Sequence, residues 1–559
     1  MRRLIYPLIP LSLTAMVLAG CASTTSSAAT SETSSSFAAE TVAVDSELTA
    51  DAVLAANEDA TVTRDDEWSE ADADDIDLSS VDGTLTIDAA GVYRLTGSLE
   101  GQVVVAAPED AVVVLLLDGV DIANPDGAAI DVQTADDVAI VTAAGTTNTV
   151  SDAASYADDV DANAAIHSTV DLTLSGSGTL QVTGNGNDGI VTTDDLVVLS
   201  GEIVVDAADD ALRGKDALVI EGGTLDLTAG GDGLKSDQDD DETRGYVWID
   251  GGHLTVQSGD DAISAATDVV VTDGVVDLTA TGATTEDSAK GIVAGAVAVV
   301  DGGDLTIDAT DDGVHSDGSI GFGGGVVTIS SGDDGVHAEQ RLEIRDGSVT
   351  VTDSFEGLEA VDIAVSGGEV DVTASDDGIN AASGDPAGDT GPGTPQADTG
   401  ESIVFSGGTV VVVGGLDGID SNGSLTFSGG EVRVAGLFTG GDGALDANGD
   451  ITFDGGTVIA TGGIHGTLGG SQSWIAAAAT GSTGSEVTIG DDTVLYTADA
   501  DFGAVFYSDP TLTSGTTYEV FIDGSSVATA TSGDVVESQA GPGGQAPGGG
   551  APGGGGQRP

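Results

Sequence analysis

Two stretches of this chain, Asp311-Asp312-Gly313-Val314-His315 and Asp333-Asp334-Gly335-Val336-His337, repeat one five-residue phrase at a spacing of 22 residues. A phrase that returns at such a spacing is typical of a stacked repeat architecture. Further copies, some of them separated by longer intervals, are Asp209-Asp210-Ala211-Leu212-Arg213, Gly231-Asp232-Gly233-Leu234-Lys235, Asp260-Asp261-Ala262-Ile263-Ser264, Phe355-Glu356-Gly357-Leu358-Glu359 and Asp376-Asp377-Gly378-Ile379-Asn380.

Between the phrases, a Gly-Gly turn precedes alternating apolar residues, as in Gly302-Gly303-Asp304-Leu305-Thr306-Ile307-Asp308. Alternation with period two, bounded by Gly and Asp, predicts short strands, and three of them fit in one unit. The sequence therefore predicts an all-β fold, a right-handed single-stranded parallel β-helix of about a dozen coils. Antiparallel strands around Val487 to Val527 are expected to cap its C-terminal end.

The first 21 residues read as an export signal. Arg2 and Arg3 precede an apolar run, and Leu18-Ala19-Gly20-Cys21 is a lipoprotein cleavage site, so Cys21 is the expected lipid anchor. We expect a flexible linker over residues 22–71, the β-helix over 72–480, the cap over 481–534 and a disordered Gly/Pro-rich tail over 535–559. The predicted location is extracellular, at the cell membrane.

The formal net charge of −82 excludes nucleic acid and an anionic membrane surface as electrostatic partners. Membrane contact is expected through the lipid on Cys21 alone, and we expect a monomer. Adaptation to high salt is a competing explanation of this acidity. The carboxylates, however, recur in register, and stacked coils place equivalent residues about 4.8 Å apart. At an effective dielectric constant of 20, two such charges repel by roughly 3 kcal/mol, so neutralisation is required.

Calcium is the expected neutralising ion, with several sites, because carboxylate oxygens from several chain segments are what Ca²⁺ binds. An Asp before a Gly is also a common turn former, and we expect most of these residues to form turns and some to be ligands. The candidate metal ligands are Asp188, Asp209, Asp210, Asp232, Asp260, Asp261, Asp311, Asp312, Asp333, Asp334, Asp376 and Asp377. Lys290 stands where the pattern has Asp, and it is interpreted as an internal countercharge.

Basic and aromatic residues form the candidate carbohydrate-binding set. Arg213, Lys215 and Lys235 fall on neighbouring coils, where they either pair with nearby aspartates or recognise carboxylated sugars. His315 and His337 are predicted on adjacent coils, as a ligand site or as a solvated ladder. Tyr246 and Trp248 alternate with aliphatic residues, so they either stack on a sugar ring or pack beneath a loop.

The chain resembles a family of secreted, calcium-binding, carbohydrate-binding proteins with a parallel β-helix akin to that of pectate lyases. The resemblance runs over about residues 75 to 525. It rests on Gly91-Val92-Tyr93-Arg94-Leu95-Thr96-Gly97, Gly145-Thr146-Thr147-Asn148-Thr149-Val150-Ser151-Asp152, Ala165-Ile166-His167-Ser168-Thr169-Val170-Asp171-Leu172, Leu212-Arg213-Gly214-Lys215-Asp216, Gly231-Asp232-Gly233-Leu234-Lys235-Ser236, Ser508-Asp509-Pro510 and Gly515-Thr516-Thr517-Tyr518. It implies affinity for acidic polysaccharide such as polygalacturonate, and for cellulose, without turnover.

The leading interpretation is a lipid-anchored, calcium-dependent carbohydrate-binding protein that is not an enzyme and has no catalytic residues. A calcium-dependent polysaccharide lyase is the alternative, because elimination beside a uronate needs calcium and a basic residue such as Arg213, Lys215 or Lys235. A passive cell-surface stalk or adhesin is the third hypothesis.

Overall fold

The computed structural model describes residues 48–157, 160–282, 289–383, 397–437, 442–490 and 494–533. The predicted signal peptide with Cys21, most of the predicted linker and the Gly/Pro-rich tail lie outside these residues. Within the described chain, no helix is both long enough and apolar enough to span a membrane.

The described chain winds into coils whose strands form three stacks of parallel strands, and this confirms the predicted parallel β-helix. The first stack carries the repeated phrases and contains Thr84–Ile87, Gln102–Ala106, Ile130–Thr134, Ala164–Ser168, Asp188–Thr192, Leu212–Gly214, Leu234–Ser236, Ile263–Ala265, Ile292–Ala294, Val314–Ser316, Ile379–Ala381 and Ile419–Ser421. The second stack contains Ala73–Asp77, Asp137–Thr142, Asp171–Gly176, Asp195–Val198, Ala217–Ile220, Tyr246–Ile249, Asp268–Val271, Val297–Val300 and Ser319–Phe322. The third stack contains Thr147–Ser151, Thr179–Gly184, Glu202–Ala207, Thr224–Ala229, His253–Ser258, Val275–Ala280, Asp304–Ala309, Val326–Ser331, Ser348–Asp353 and Glu369–Thr373.

Longer strands continue from one stack into the next, and the C-terminal end is antiparallel. The longer strands are Gly91–Glu100, Val112–Ala123, Val336–Ile344, Leu358–Val365, Ser402–Val413, Ser424–Ala435, Leu445–Thr461 and Ile464–Gly469. Trp474–Gly481 pairs antiparallel with Phe502–Ser508, which also pairs with the end of Leu445–Thr461. A separate antiparallel sheet of Glu486–Ile489, Val494–Thr497, Thr517–Ile522 and Ser525–Thr531 completes the expected cap.

Glycine makes the repeated phrase compatible with close stacking. A Cβ on Gly313 would lie 2.3 Å from Cγ2 of Ile329 and 2.6 Å from the carbonyl oxygen of Gly335 on the next coil. The Gly-Gly turn has a different requirement, since Gly303 adopts a φ of +85°, a conformation that residues with a side chain rarely adopt. This coil therefore uses glycine once for space and once for backbone conformation, whereas the phrases with Ala211 and Ala262 accommodate a methyl group at the first of these positions.

Residues 48–64, which we name the N-terminal strap, pack against the second stack, so the expectation of a flexible linker up to residue 71 is wrong for them. The strap begins with a short helix, Ala50–Leu54, capped by Thr49. Leu48 and Val53 bury their side chains against Val270 and its neighbours on the second stack. Main-chain donors add to this, because the Thr61 N–H donates to Asp195 Oδ2 at 2.8 Å. The sequence of this segment is mostly polar and contains few apolar anchors, so its packing was not predicted.

Aliphatic side chains that point inward from the strands fill the interior of the coils. Towards the C-terminal end, the core also contains phenylalanine side chains. Phe405, Phe427 and Phe453 stack with ring centroids 5.2 and 5.1 Å apart, each on the coil after the last. Phe506 of the antiparallel cap continues this stack, with its centroid 4.9 Å from that of Phe453. The cap is thus joined to the coils through aromatic packing.

We expect Phe427→Ala to lower the free energy of unfolding by about 3–5 kcal/mol, because it leaves a cavity between two stacked rings. The matched control is Phe355→Ala, since the Phe355 side chain is 47% exposed and the change should be nearly neutral. Denaturant unfolding measures both variants. Equal effects would contradict the packing described for the C-terminal coils.

Candidate functional site

The two aspartates of each phrase have different environments. The second, just before the Gly or Ala, is buried or half-buried at the start of a first-stack strand; this set is Asp188, Asp210, Asp232, Asp261, Asp312, Asp334 and Asp377. The first lies at or near the surface; this set is Asp209, Asp260, Asp311, Asp333 and Asp376. We call these sets the inner and the outer aspartate column. Every metal ligand predicted from the sequence falls in one of them.

Inner-column carboxylates bind the backbone of the next coil. Oδ1 of Asp188 accepts a hydrogen bond from the N–H of Asp210 at 3.1 Å, and Oδ1 of Asp210 accepts one from the N–H of Asp232 at 2.9 Å. Equivalent bonds run from Asp261 to Asp232 and from Asp334 to Asp312. Hydrogen bonds to a charged group stabilise more than neutral ones, by roughly 1.5–3 kcal/mol each. The inner column is therefore a structural ladder between coils.

At the coil of Lys290 the ladder changes. The Lys290 N–H still donates to Asp261 Oδ1 at 2.9 Å, but Lys290 offers no carboxylate to the following coil. Asp311 replaces it, since its Oδ1 accepts the N–H of Asp312 at 2.9 Å. The Lys290 ammonium lies 2.7 Å from both Asp311 Oδ1 and Asp312 Oδ2. The structure thus places Lys290 as an internal countercharge, as interpreted from the sequence.

Arg213 and Lys235 pair with inner-column carboxylates instead of standing free. Lys235 Nζ lies 2.8 Å from Asp232 Oδ2 and 3.1 Å from Asp210 Oδ2. The Arg213 guanidinium lies 2.5 Å from Asp237 Oδ2 and 3.9 Å from Asp188 Oδ2. Although burial opposes the charged form, Asp232 and Asp210 raise the pKa of Lys235 above its ordinary value.

Lys215 differs from these two basic residues. It lies half-buried just after the strand Leu212–Gly214, and its backbone N–H donates to the carbonyl oxygen of Thr192 at 3.1 Å. Among the described residues, no carboxylate forms an ion pair with its ammonium group. Lys215 is therefore the member of the predicted basic set that is available to an external anion.

His315 and His337 lie on adjacent coils, in register and with ring centroids 5.0 Å apart. His315 Nδ1 is 3.0 Å from Asp312 Oδ2, and His337 Nδ1 is 3.2 Å from Asp334 Oδ2. Burial opposes the charged form of His315, yet its hydrogen bonds to Asp312 and Asp317 raise its pKa to about 9. The hydrogen bond to Asp334 likewise raises the pKa of His337. The His315 ring is therefore held as an imidazolium partner of the inner column at neutral pH.

Equivalent positions of the first-stack strands hold Arg213, Lys235, His315 and His337. The pairings Arg213 with Lys235, Lys235 with Ser264, Ser264 with Val293, Val293 with His315 and His315 with His337 give this order along the coils. We call this row, with Lys290 beside it, the basic stripe. The basic stripe thus gathers basic side chains of a strongly acidic protein beside the inner carboxylates.

The structure places Tyr246 and Trp248 under the strap, which rules out the expected sugar stacking for Tyr246. The Tyr246 side chain is 3% exposed, and its hydroxyl donates to the carbonyl oxygen of Glu58 at 2.9 Å. Trp248 packs against the same strap, and its indole N–H donates to Thr272 Oγ1 at 3.0 Å. The alternative weighed from the sequence was packing beneath a neighbouring loop, whereas the covering segment in the structure is the strap.

An acidic cluster that the sequence did not reveal lies on the second stack. Oxygen atoms of Asp171, Asp194 and Asp195 are within 4.8 Å of one another, and they border a cavity of about 270 Å³ roofed by the strap. Burial, with the neighbouring Asp171, raises the pKa of Asp194 to about 7. The spacing of Asp171 and Asp195 in sequence could have indicated neighbouring coils, but nothing pointed to the strap that encloses them.

Residues 81–335 match a family model described as "carbohydrate-binding domain-containing protein". A curated protein of that description from Acetivibrio thermocellus is 38% identical over 141 residues, which are 24% of this chain and 49% of that protein. The chain thus spans about half the length of this relative. A solved structure described as a polysaccharide lyase-like protein from C. thermocellum, a gadolinium derivative, is 29% identical and covers 46% of this chain and 92% of its own, with a TM-score of 0.34.

The family match confirms the expected resemblance to a carbohydrate-binding family over residues 81–335. This matched segment contains the basic stripe from Arg213 to His315 and the inner column up to Asp334. The coils from Glu356 onwards lie beyond it.

We expect His315→Gln to lower the free energy of unfolding by on the order of 3 kcal/mol at pH 6, and by much less above pH 9. A histidine that titrates near 6.5 when unfolded and about 9 when folded stabilises fully below the lower value and loses this contribution as pH rises through the upper one. Denaturant unfolding between pH 5.5 and 10 measures it. The control is His253→Gln, an exposed third-stack residue; a pH-independent difference between His315→Gln and the unmutated protein would contradict the ion pair.

Proposed function

We propose that this chain binds acidic polysaccharide, of the polygalacturonate type, along the basic stripe and with the help of calcium. The observation that supports this most is the register of Arg213, Lys235, His315 and His337 on one face of the first stack. A polyanion that runs along the coils would meet these groups in sequence. The matched carbohydrate-binding segment contains most of the same face.

Electrostatics favours this face over the rest of the molecule. With a net charge of −82, most of the surface repels a polyuronate at long range. Along the basic stripe, inner-column carboxylates are already paired with lysine, arginine and imidazolium groups, so the outer aspartates are the ones that would repel it. Lys215 adds an ammonium group without an ion-pair partner among the described residues, and it is the group we assign to direct contact with a sugar carboxylate.

Calcium is assigned to the outer aspartate column. The inner carboxylates already use one oxygen for the next coil, whereas Asp209 and Asp333 are exposed and Asp376 is half-buried. Asp311 differs from these, because it already accepts hydrogen bonds from Asp312 and Lys290. Calcium takes six to eight oxygen ligands, so one ion can bridge an outer aspartate and a uronate carboxylate. In this proposal, an acidic protein retains an acidic ligand through shared cations.

Binding without turnover is proposed because the basic residues of the stripe are poor general bases. A base must lose its proton near the working pH, but Asp232 and Asp210 raise the pKa of Lys235 despite the opposing effect of burial. The Asp237 partner acts in the same direction on the pKa of Arg213, also against burial. The proposed location is the outer face of a cell membrane, where a lipid on Cys21 would anchor the chain.

Lys215→Gln should weaken retention on immobilised polygalacturonate by about twofold to fivefold in calcium-containing buffer, since one solvent-accessible charge contact contributes up to about 1 kcal/mol. Arg433→Gln is the matched control, because it also removes one positive charge but from the third stack. Affinity electrophoresis in gels with and without the polysaccharide measures both. A chelator should abolish retention of all forms; retention that survives chelation, or equal losses for both variants, would contradict the proposal.

The unmutated protein should release no unsaturated uronide from polygalacturonate at pH 8–10 with added calcium. The conjugated double bond formed by elimination absorbs in the ultraviolet, so continuous absorbance is the measurement. A pectate lyase run in parallel shows that the substrate is competent. A steady increase that scales with protein concentration and disappears in Lys235→Met would establish the lyase function instead.

A further inference from the structure

The N-terminal strap is attached to the coils in a different way from every strand. Residues 48–64 form no strand, so they take no part in the ladders that join the coils. Several of their main-chain donors end on side chains instead. The Ala50 N–H donates to Asp301 Oδ2 at 2.7 Å, and the Thr61 N–H donates to Asp195 Oδ2 at 2.8 Å. The attachment of the strap therefore depends on ionisable groups of the second stack.

Apolar packing holds the strap at two places. Leu48 and Val53 pack against one group of second-stack valines, and Ala60 and Val62 pack against another group several coils away. Between these two anchors lies the polar stretch of residues 57–59. Docking of the strap is thus a balance between apolar contacts at its anchors and the polar contacts between them.

The cavity of about 270 Å³ lies under this polar part of the strap. Its lining is strongly acidic, and Arg244 is the only cation in it. The other lining residues are Glu58, Asp59 and Thr61 of the strap and Asp171, Asp194, Asp195, Asp216 and Tyr246 of the coils. An acidic segment of the strap is therefore packed on an acidic wall.

Arg244 compensates only a part of this negative charge. Its guanidinium lies 2.9 Å from Glu58 Oε2, and it also donates to Asp216 Oδ2. These are its two ion-pair partners, and they join the strap to the second stack. The acidic cluster described above keeps its own carboxylate oxygens within 4.8 Å of one another. Uptake of a proton relieves the repulsion within such a cluster.

From this arrangement we propose that the strap is a proton-controlled clasp. It is held on the second stack while the carboxylates beneath it share protons, and it is released as they ionise. The apolar anchors supply the attraction, and the ionised cavity supplies the opposing repulsion. Segments with few ladder hydrogen bonds open more readily than the core, so the strap can open while the coils stay folded.

The direction of the pH effect follows from burial in the cavity. Burial raises the pKa of Asp194 to about 7 and that of Asp195 to about 6. The strap contributes to this burial, so its release lowers both pKa values towards the ordinary value near 4. A carboxyl with the higher pKa in the docked state binds protons more tightly there. Docking is therefore strongest in acid, weakens as pH rises between about 4 and 7, and is weakest above this range.

Release changes what the protein presents to its surroundings. It uncovers Tyr246 and Trp248 on the second stack, since both lie beneath the strap. It also frees residues 48–64, which span up to about 60 Å when extended. In the sequence this segment lies between Cys21 and the coils, so its release lengthens the connection to the proposed lipid anchor. The clasp uses no residue of the basic stripe and does not depend on polysaccharide binding.

The test is hydrogen exchange of the full chain, followed by mass spectrometry at pH 5.5 and pH 8.5. Protection is expressed relative to an unstructured peptide of the same sequence at the same pH. A difference of one unit between the docked and released pKa values changes the docking equilibrium tenfold, so protection of residues 48–64 should fall by about tenfold at pH 8.5. Protection of the strand Ala217–Ile220 should stay high at both values, because the coils remain folded.

Asp194→Asn cannot ionise, so it should keep the strap about tenfold better protected than the unmutated protein at pH 8.5. Asp59→Asn changes the strap side of the cavity and should act in the same direction. It remains informative if Asp194→Asn fails to fold, which circular dichroism reveals. Asp226→Asn is the matched control, since it removes an exposed carboxylate from the third stack and should leave the strap unchanged.

Three results would overturn the proposal. The first is equal protection of the strap at both pH values in the unmutated protein. The second is loss of protection in Ala217–Ile220 together with the strap, because the strap would then not open as a separate unit. The third is release of the strap by a chelator at pH 5.5, because a bound cation instead of protons would then control docking. An effect of Asp226→Asn as large as that of Asp194→Asn would also contradict it.

Discussion

The hydrogen bond from the backbone N–H of one coil to the inner aspartate of the preceding coil is the interaction on which this β-helix depends. It recurs along the column between Asp188 and Asp417, although not at every coil, with N–O distances of 2.9–3.1 Å. It fixes the register of each coil on the last, and it brings a carboxylate to the edge of the core. Stacked carboxylates about 4.8 Å apart repel by several kcal/mol in a poorly solvated setting, so the ladder also creates a need for positive charge.

That need organises the first stack into two parts. From Asp188 to Asp334, the positive charge comes from side chains of the chain itself, above all Lys235, Lys290 and His315. From Glu356 to Asp446, the described first-stack positions carry no lysine, arginine or histidine, and the next basic side chain on this stack is His465, in register with Asp446. One structural requirement is thus met by covalently attached cations in the first part, whereas the second part keeps buried carboxylates, such as Asp417 and Asp420, whose pKa values burial raises.

Much of the fold was predictable because the spacing and alternation of the repeat correspond directly to the coil and its strands. The spacing from Gly313 to Gly335 gives the coil, and the alternation around Leu305 and Ile307 gives the strands. The different roles of the two aspartates in each phrase were not predictable, because Asp311 and Asp312 are chemically identical and only the path of the backbone separates them. The strap was missed for a related reason. Its anchors, such as Leu48 and Val53, are few, and its contacts with Val270 and Asp195 are far away in sequence.

The candidate site was predicted in part. The clustering of Arg213, Lys235, His315 and His337 followed from the repeat, but their use as partners of buried carboxylates required the three-dimensional structure. Tyr246 illustrates the limit of a two-residue alternation, since a position that points out of the coil can still be covered by another segment.

Anomalous diffraction from crystals grown in calcium, recorded at a long wavelength, shows directly whether a metal or the side chains of the protein neutralise the inner column. We expect no calcium peak where Lys290 and His315 contact Asp312, because these two groups already neutralise that carboxylate. A calcium peak at Asp312 would contradict this division of charge.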